Sequence, residues 1–132
     1  YSLGVYVFLF EQLDTCRPGL YRYDTLRHCL EPLLLKVFTL YERQMFAPAE
    51  WPVATRIFVC LTISFPLSTE GYGSRGYRYG LFEAGHVAQN MILAAAEAGK
   101  TFVPLEGIHE GEIEMTLGLN TDEERILSGW CL

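Results

Sequence analysis

Residues 71–79, GYGSRGYRY, place glycines, tyrosines and arginines together in one short segment. Gly71, Gly73 and Gly76 satisfy G-x-G-x-x-G, which cradles a dinucleotide pyrophosphate when a strand runs into it and a helix begins at its third glycine. In this chain PLSTEG separates the motif from the preceding apolar segment, and the helical periodicity begins several residues after Gly76. The pattern therefore favours a loop with glycine turns over a nucleotide-binding loop.

Aromatic and guanidinium side chains occupy most of the remaining positions of this loop. They are Tyr72, Arg75, Tyr77, Arg78 and Tyr79. Such side chains offer stacking surfaces and proton donors to a planar ligand. Glycine turns alone do not account for them, so the loop is a candidate binding site.

The composition limits the class of protein. The chain has 132 residues, of which 50% are hydrophobic and 20% are charged, as is typical of one globular domain with one core. We therefore predict a single domain over residues 1–132. The net charge of −6 and the lack of basic runs argue against a nucleic-acid or anionic-membrane surface. No apolar run approaches the roughly 20 residues that a membrane span needs.

The cysteines and the chain ends give further expectations. Cys16, Cys29, Cys60 and Cys131 form no C-x-x-C and have no histidine at metal-ligand spacing, which predicts free thiols, no metal site and a cytoplasmic protein. The chain begins at Tyr1 without Met and ends in an apolar, strand-like segment, ILSGWCL. Such ends predict a piece of a longer protein or one half of a split protein.

Several apolar segments of strand length surround the loop. VYVFLF and LYRYD are rich in β-branched and aromatic residues, and the turn at Pro18-Gly19 predicts that they are antiparallel neighbours. RIFVCLTISF is apolar throughout and predicts a central strand covered on both faces. TFVP and RILSGWCL predict two further strands.

Three helices are predicted from apolar residues at helical spacing. The first covers LLLKVFTLYERQMF and is closed by Pro48 and Pro52. Its apolar face consists of Leu34, Val37, Phe38, Tyr41 and Met45. The second covers YGLFEAGHVAQNMILAAAEAG with Gly99 as its C-cap, and the third covers HEGEIEMTLG and ends at Gly118. The predicted fold class is α+β, with a mixed, mainly antiparallel sheet flanked by helices.

Motifs along nearly the whole chain resemble the FMN-dependent nitroreductase superfamily, most closely its SagB-type azoline dehydrogenase branch. The loop at 72–79 is similar to that branch's KYG-x-RGYR, and EAGHVAQN at 83–90 is similar to its EAGH-x-AQN. GLYRYDTLRHCLEPL is similar to its GLYRYDP segment. The resemblance implies a nitroreductase-like fold and FMN as cofactor.

PLEG at 104–107 matches the turn that approaches the flavin ring in this superfamily, where a backbone N–H bonds flavin N5. A fixed donor there makes N5 a better hydride acceptor. The resemblance therefore implies that Pro104, Leu105, Glu106 and Gly107 bind FMN, with Glu106 and Gly107 as donors. Without the resemblance, a strand-to-helix turn that needs Gly107 for its conformation would explain the same residues.

The azoline dehydrogenases use a Lys-Tyr pair in the KYG loop as the proposed acid/base group, which removes a ring proton as hydride leaves for FMN. Tyr72 matches that tyrosine, so the resemblance implies that Tyr72 is catalytic, but Gly71 stands at the lysine position. A tyrosine ordinarily ionises near pH ~10, so without an adjacent cation it is a poor base at neutral pH. The departure implies altered or weakened chemistry.

The resemblance also implies partners. The family holds the FMN phosphate with an Arg/Ser-rich N-terminal stretch and with basic residues beyond the last strand, and neither segment is in this sequence. A phosphate needs charge-assisted donors to bind tightly. A homodimer or a hetero-complex is therefore expected to complete the flavin site.

Three functions remain open at this point, and the one that the sequence favours least is a nucleotide binder with Gly71, Gly73 and Gly76 beside a pyrophosphate. The first is an FMN-dependent oxidoreductase, most like the peptide azoline dehydrogenases, acting on a peptide or small-molecule substrate. The second is a non-catalytic nitroreductase-like fragment or partner subunit of a peptide-modifying complex, which the absent lysine and phosphate ligands favour.

Overall fold

A computed structural model describes residues 2–44, 46, 55–105 and 107–132. In these residues six strands form one sheet in the order β3-β2-β1-β4-β6-β5, and every pairing is antiparallel. The strands are β1 Leu3–Leu9, β2 Gly19–Asp24, β3 Cys29–Leu35, β4 Ile57–Ser64, β5 Val103–Leu105 and β6 Glu124–Cys131. The helices are α1 Leu40–Gln44, α2 Phe65–Glu70, α3 Gly76–Glu97 and α4 Glu110–Leu117. The predicted α+β class with a mainly antiparallel sheet is confirmed.

The central strand is β4, as the sequence predicts. It lies between β1 and β6, and its residues from Phe58 to Ile63 are buried. Side chains alternate between the two faces of a strand, so a continuously apolar strand needs cover on both. On one face Leu61 packs with Ala84 of α3, and on the other Phe58 packs with Ile113 of α4. The two cores place α3 and α4 on opposite faces of the sheet.

The helix predicted from Leu34 to Met45 is wrong over most of its length. Leu34 belongs to β3 and pairs with Leu20, which makes β2 and β3 a hairpin. The hairpin turn is held by Asp24, whose Oδ1 accepts the N–H groups of the residues two and three positions later at 2.8 and 3.0 Å. A short apolar run fits both the helical and the strand periodicity, and here the turn at Asp24 selects the strand.

Among the described residues of that region, α1, a single helical turn, is the only helix. Thr39 and Glu42 hydrogen-bond each other's backbone N–H through their side chains, which is a capping box. Met45, Pro48 and Pro52, which the sequence prediction places at the end of this helix, lie outside the described residues.

The start of α3 also differs from the prediction. The helix begins at Gly76 rather than several residues later, and PLSTEG forms most of α2 instead of a loop. A Cβ at Gly76 would lie 1.7 Å from the Ser68 carbonyl oxygen, so glycine is required by the close approach of α2 and α3. The third glycine does begin a helix, but α2 intervenes between β4 and the motif, which a dinucleotide-binding loop does not allow.

The other helix predictions are confirmed. Gly99 follows α3 with φ +68° and Gly118 caps α4 with φ +68°, a left-handed conformation that favours glycine. Ala84 is buried on α3, whereas Phe82 and Leu93 are 59% and 58% exposed on it. None of the described helices is long and apolar enough to cross a membrane.

Candidate functional site

The turn predicted to contact flavin lines a cavity of about 380 Å³. Pro104, Leu105 and Gly107 contribute to it from one side, and Leu127 and Trp130 of β6 contribute from the other. Glu106 lies outside the described residues. The structure therefore brings three of the four predicted turn residues to a common cavity.

The end of β5 creates this cavity. Leu105 pairs with Gly129, and no residue after Leu105 in the described part of the chain pairs with β6, so the strand's edge opens there. A β-bulge places Leu127 without a partner on β4, because Leu61 pairs with Ser128 and the next residue of β4 pairs with Ile126. Bulges redirect side chains next to active sites. The short strand and the bulge together shape the cavity wall.

Gly107 has the left-handed conformation that a strand-to-helix turn alone would require, and its backbone N–H has no acceptor among the described residues. Its φ is +76°, which a side chain would strain. The residue is also exposed. The amide is therefore available to a ligand in the cavity.

A second cavity, of about 390 Å³, adjoins the first, with which it shares Glu110 and Leu127. Tyr77 and Leu81 of α3 line it, together with Arg125 at the start of β6. We call the two adjoining cavities the turn groove. Its walls combine apolar side chains with polar backbone and charged groups, and it runs from Gly107 to the first turns of α3.

A buried carboxylate that sequence analysis does not identify holds one end of the turn groove. Glu114 is 3% exposed, and its Oε1 accepts hydrogen bonds from Arg125 Nε at 2.9 Å and from the Ile126 N–H at 3.1 Å. The contact ties α4 to the β6 edge beyond the end of β5. No motif marks Glu114, because only the fold brings the two segments together.

A second polar cluster lies on the sheet beside this edge. The hydroxyls of Tyr6 and Thr62 both donate to Glu124 Oε1, the former at 3.2 Å. Burial, and then the Glu124 carboxylate, raise the pKa of Tyr6 to about 12. Gly4 makes room for the cluster, since a Cβ there would lie 3.0 Å from Glu124 Oε1.

Tyr72, the predicted catalytic residue, lines a different cavity, of about 280 Å³, which we call the loop cavity. Glu70, Tyr79 and Glu83 are among its other residues. The rings of Tyr72 and Tyr79 meet edge to face with centroids 5.1 Å apart. None of the described residues lines both this cavity and the turn groove. The structure of one chain thus does not bring Tyr72 to the turn.

The cysteines give no sign of a metal or a disulfide in the described residues. All four thiols are free, and Cys60 and Cys131 are buried. Burial raises the pKa of the Cys60 thiol, which keeps it protonated and unreactive. The described residues contain no group of three or more His, Cys, Asp or Glu that could hold a metal ion.

Residues 19–132 match the Nitroreductase family. The chain belongs to the nitroreductase family. Members of this family generally use flavin cofactors. The chain is also 30% identical, over 118 residues, to the "Putative nitroreductase MJ1384" of Methanocaldococcus jannaschii. That match covers 89% of this chain and 59% of the relative, so the chain spans little more than half the relative's length.

Solved structures share the fold of this nitroreductase-family chain. The E. coli microcin synthetase McbBCD complex with truncated pro-MccB17 bound matches with a TM-score of 0.85 and 21% identity, over 99% of this chain and 51% of the other. A crystal structure of a "putative nitroreductase" from Anabaena variabilis matches with a TM-score of 0.81 and 24% identity, over 99% and 27%. At these identities the likeness shows the fold alone.

Proposed function

We propose that the chain is the ring-binding part of an FMN-dependent oxidoreductase of the peptide azoline dehydrogenase type. One observation carries the proposal: the Gly107 N–H, which no other described residue accepts, lies at the turn groove in the segment that matches the flavin turn. The family's use of flavins and the motifs at 72–79 and 83–90 support it.

The described residues fit the ring end of a flavin better than its phosphate end. Leu127 and Trp130 offer apolar walls, and Gly107 offers a fixed donor. Arg125 is the only basic side chain among the described residues that line the turn groove, and its Nε already donates to Glu114. The phosphate therefore takes its donors from a second copy of the chain or from a partner subunit.

A bound flavin would supply a hydride acceptor at N5. The chain's own part in the reaction is to hold the ring through the Gly107 N–H and to exclude water with Leu127 and Trp130. In its phenolate form, the Tyr72 oxygen would accept the substrate proton and become the hydroxyl. Because Tyr72 lines the loop cavity of its own chain, we place it beside the flavin of a second copy or of a partner subunit. A peptide substrate is supported by the fold shared with a microcin synthetase complex.

A specific observation favours a second candidate, a non-catalytic partner subunit of a peptide-modifying complex. Gly71 stands where the azoline dehydrogenases have lysine, and Tyr72 lies away from the turn groove. In this case the groove would bind flavin without oxidising an azoline.

The absorbance of the purified chain, recorded after incubation with FMN and desalting, tests the proposal. We expect a retained flavin band near ~450 nm. Gly107→Leu should lose the band, because the side chain strains the turn and enters the groove. Gly99→Leu is the matched control, since Gly99 has a similar φ of +68° and nothing within 4 Å of an added Cβ.

Two results would contradict the proposal. One is a chain that stays colourless with FMN, and the other is equal flavin retention by Gly107→Leu and Gly99→Leu. Riboflavin, which lacks the phosphate, should bind to the isolated chain within about threefold of FMN, because the described groove offers the phosphate little. A much larger preference for FMN would show that this chain binds the phosphate itself. Oxidation of an azoline peptide by the flavin-loaded chain then separates the enzyme from the non-catalytic subunit.

A further inference from the structure

The loop cavity has a composition unlike that of the turn groove. Two carboxylates, Glu70 and Glu83, and two phenol rings, Tyr72 and Tyr79, line it. None of the described residues that line it is basic, so its formal charge is −2. Negative charge together with aromatic faces is the chemistry that recognises an organic cation.

The cavity is a built feature rather than a chance group of acidic residues. Gly76 and Gly80 form part of its wall, and a Cβ at either would meet Ser68 O or Ile63 Cδ1 at 1.7 or 2.3 Å. The close approach of α2 and α3 therefore fixes its shape independently of the carboxylates. The edge-to-face ring pair fixes a second wall.

A metal ion does not fit this cavity. The described residues hold no group of three or more His, Cys, Asp or Glu that could bind one. Glu83 Oε2 also accepts a hydrogen bond from Ser2 Oγ at 3.3 Å, which occupies one of its acceptor sites. Two carboxylates beside aromatic rings suit a larger cation, whose apolar stem packs on the rings while its charge meets the oxygens.

We propose that the loop cavity binds an ammonium or guanidinium group, carried by a lysine or arginine side chain of a peptide or by a small free amine. The volume of about 280 Å³ accommodates the end of such a side chain. The net charge of −6 on the whole chain adds a favourable long-range field.

The cation site would also contribute to the proposed oxidoreductase reaction. This contribution rests on the proposed function, because it concerns the role of Tyr72 as proton acceptor. A cation bound beside Tyr72 would place a positive charge next to the proposed proton acceptor and would offset part of the negative charge of Glu70 and Glu83. The substrate would then bring the positive charge that Gly71 does not provide. Cation binding itself requires no flavin, so it can be tested separately from the oxidoreductase proposal.

Amide chemical shifts of the ¹⁵N-labelled chain, followed during titration, provide the test. The probes are Nα-acetyl-lysine N-methylamide, its neutral norleucine counterpart, and n-butylammonium. We expect the lysine derivative to bind at least about fivefold more tightly than the norleucine derivative, with shifts centred on residues 67–83 and weakened by salt. If n-butylammonium binds as well as the lysine derivative, the cavity recognises the amine alone. Weaker binding of n-butylammonium indicates a peptide source.

Single substitutions locate the binding site. Glu83→Gln and Glu70→Gln should each weaken lysine-derivative binding about threefold or more. Glu70 is exposed and makes no hydrogen bond or ion pair with another described residue, so its substitution leaves the fold intact. Glu97→Gln removes the same charge from an exposed position at the far end of α3 and should change binding by less than about twofold. Equal binding of the lysine and norleucine derivatives, no saturable shifts, or equal effects of Glu70→Gln and Glu97→Gln would overturn the proposal.

Discussion

The turn groove and the loop cavity border the same two turns of α3 on different sides of the helix. Tyr77 and Leu81 face the groove, whereas Gly76, Tyr79 and Glu83 face the cavity. One short segment of sequence therefore supplies two sites. Residues that are adjacent in a motif need not act on the same ligand.

The two sites also differ in what builds them. The turn groove depends on the sheet, because it forms where β5 ends and β6 bulges. The loop cavity depends on α3, which approaches α2 closely at Gly76 and approaches Ile63 of β4 closely at Gly80. The groove offers Leu127, Trp130 and the Gly107 N–H and suits a flat ring, whereas the cavity carries two carboxylates and two tyrosines and suits a cation. A substitution should therefore be able to weaken ligand binding at one site without weakening it at the other.

The largest expected effect is a loss of stability in Gly76→Ala. This substitution changes the contact between α2 and α3 beside the loop cavity. The new Cβ would overlap the Ser68 carbonyl oxygen, so α2 must move, and we expect a loss of about 3 kcal/mol in the free energy of unfolding. The same substitution should weaken binding of the lysine derivative more than it weakens binding of flavin. Urea unfolding measures the first effect, and titration measures the second.

Gly71→Ala is the matched control for this substitution. Gly71 has a φ of −101° and nothing within 4 Å of an added Cβ, so alanine should be tolerated within about 0.5 kcal/mol. If Gly76→Ala proved as stable as Gly71→Ala, the helix contact would not be what requires glycine at Gly76.

Glu114→Gln is directed at the turn groove, so it should affect flavin binding more than cation binding, the reverse of Gly76→Ala. The buried carboxylate holds Arg125 and the Ile126 N–H, so its neutralisation should cost about 2 kcal/mol of unfolding free energy. Because the contact positions the β6 edge, flavin binding should weaken while lysine-derivative binding is unchanged. Glu112→Gln, on the same helix, is the control and should have a small effect on both. Equal losses at the two sites would show that they are not independent.

Tyr6 lies in the sheet that supports both regions, and it predicts a shared pH dependence. Its pKa of about 12 in the folded chain exceeds the usual value of 10.0, so the unfolded chain releases this proton first as the pH rises. The stability that Tyr6 contributes is therefore present below pH ~10 and is lost between pH ~10 and ~12, by about 2 kcal/mol. The unfolding free energies of the wild type and of Tyr6→Phe should converge over that interval. A constant difference across it would contradict the prediction.

The sequence predicts five of the six described strands, all except β3, because each of the five carries its own local signal. β4 is a continuous apolar run, and the turn at Pro18-Gly19 marks the pairing of β1 and β2. Local signals compete at Leu34, where the apolar residues fit a helix and the Asp24 turn selects a strand. The Thr39–Glu42 capping box, visible in the sequence, places the true helix start several residues later than predicted.

Residues that line the candidate site could be named from the sequence only where they lie next to one another in one segment. PLEG is contiguous, so its cavity residues Pro104, Leu105 and Gly107 could be named in advance. The Glu114–Arg125 contact joins two segments that no motif connects. Tyr72 lies away from the turn because α2 and α3 are in close contact. That contact requires glycine at Gly76, where a Cβ would overlap Ser68, and the spacing of residues in the sequence does not reveal this requirement.

The smallest expected effect, Gly71→Lys, separates the two sites most sharply. The position is open and follows Glu70 directly, so the new ammonium group can enter the loop cavity and compete with an external cation. We expect lysine-derivative binding to fall about fivefold, which corresponds to about 1 kcal/mol, with flavin binding unchanged. Gly71→Met adds a neutral side chain of similar reach and should leave lysine-derivative binding within about twofold. Equal losses in the two variants would mean that bulk at Gly71, rather than charge, governs the cavity, and the distinction between a ring-binding site and a cation site on one helix would fail.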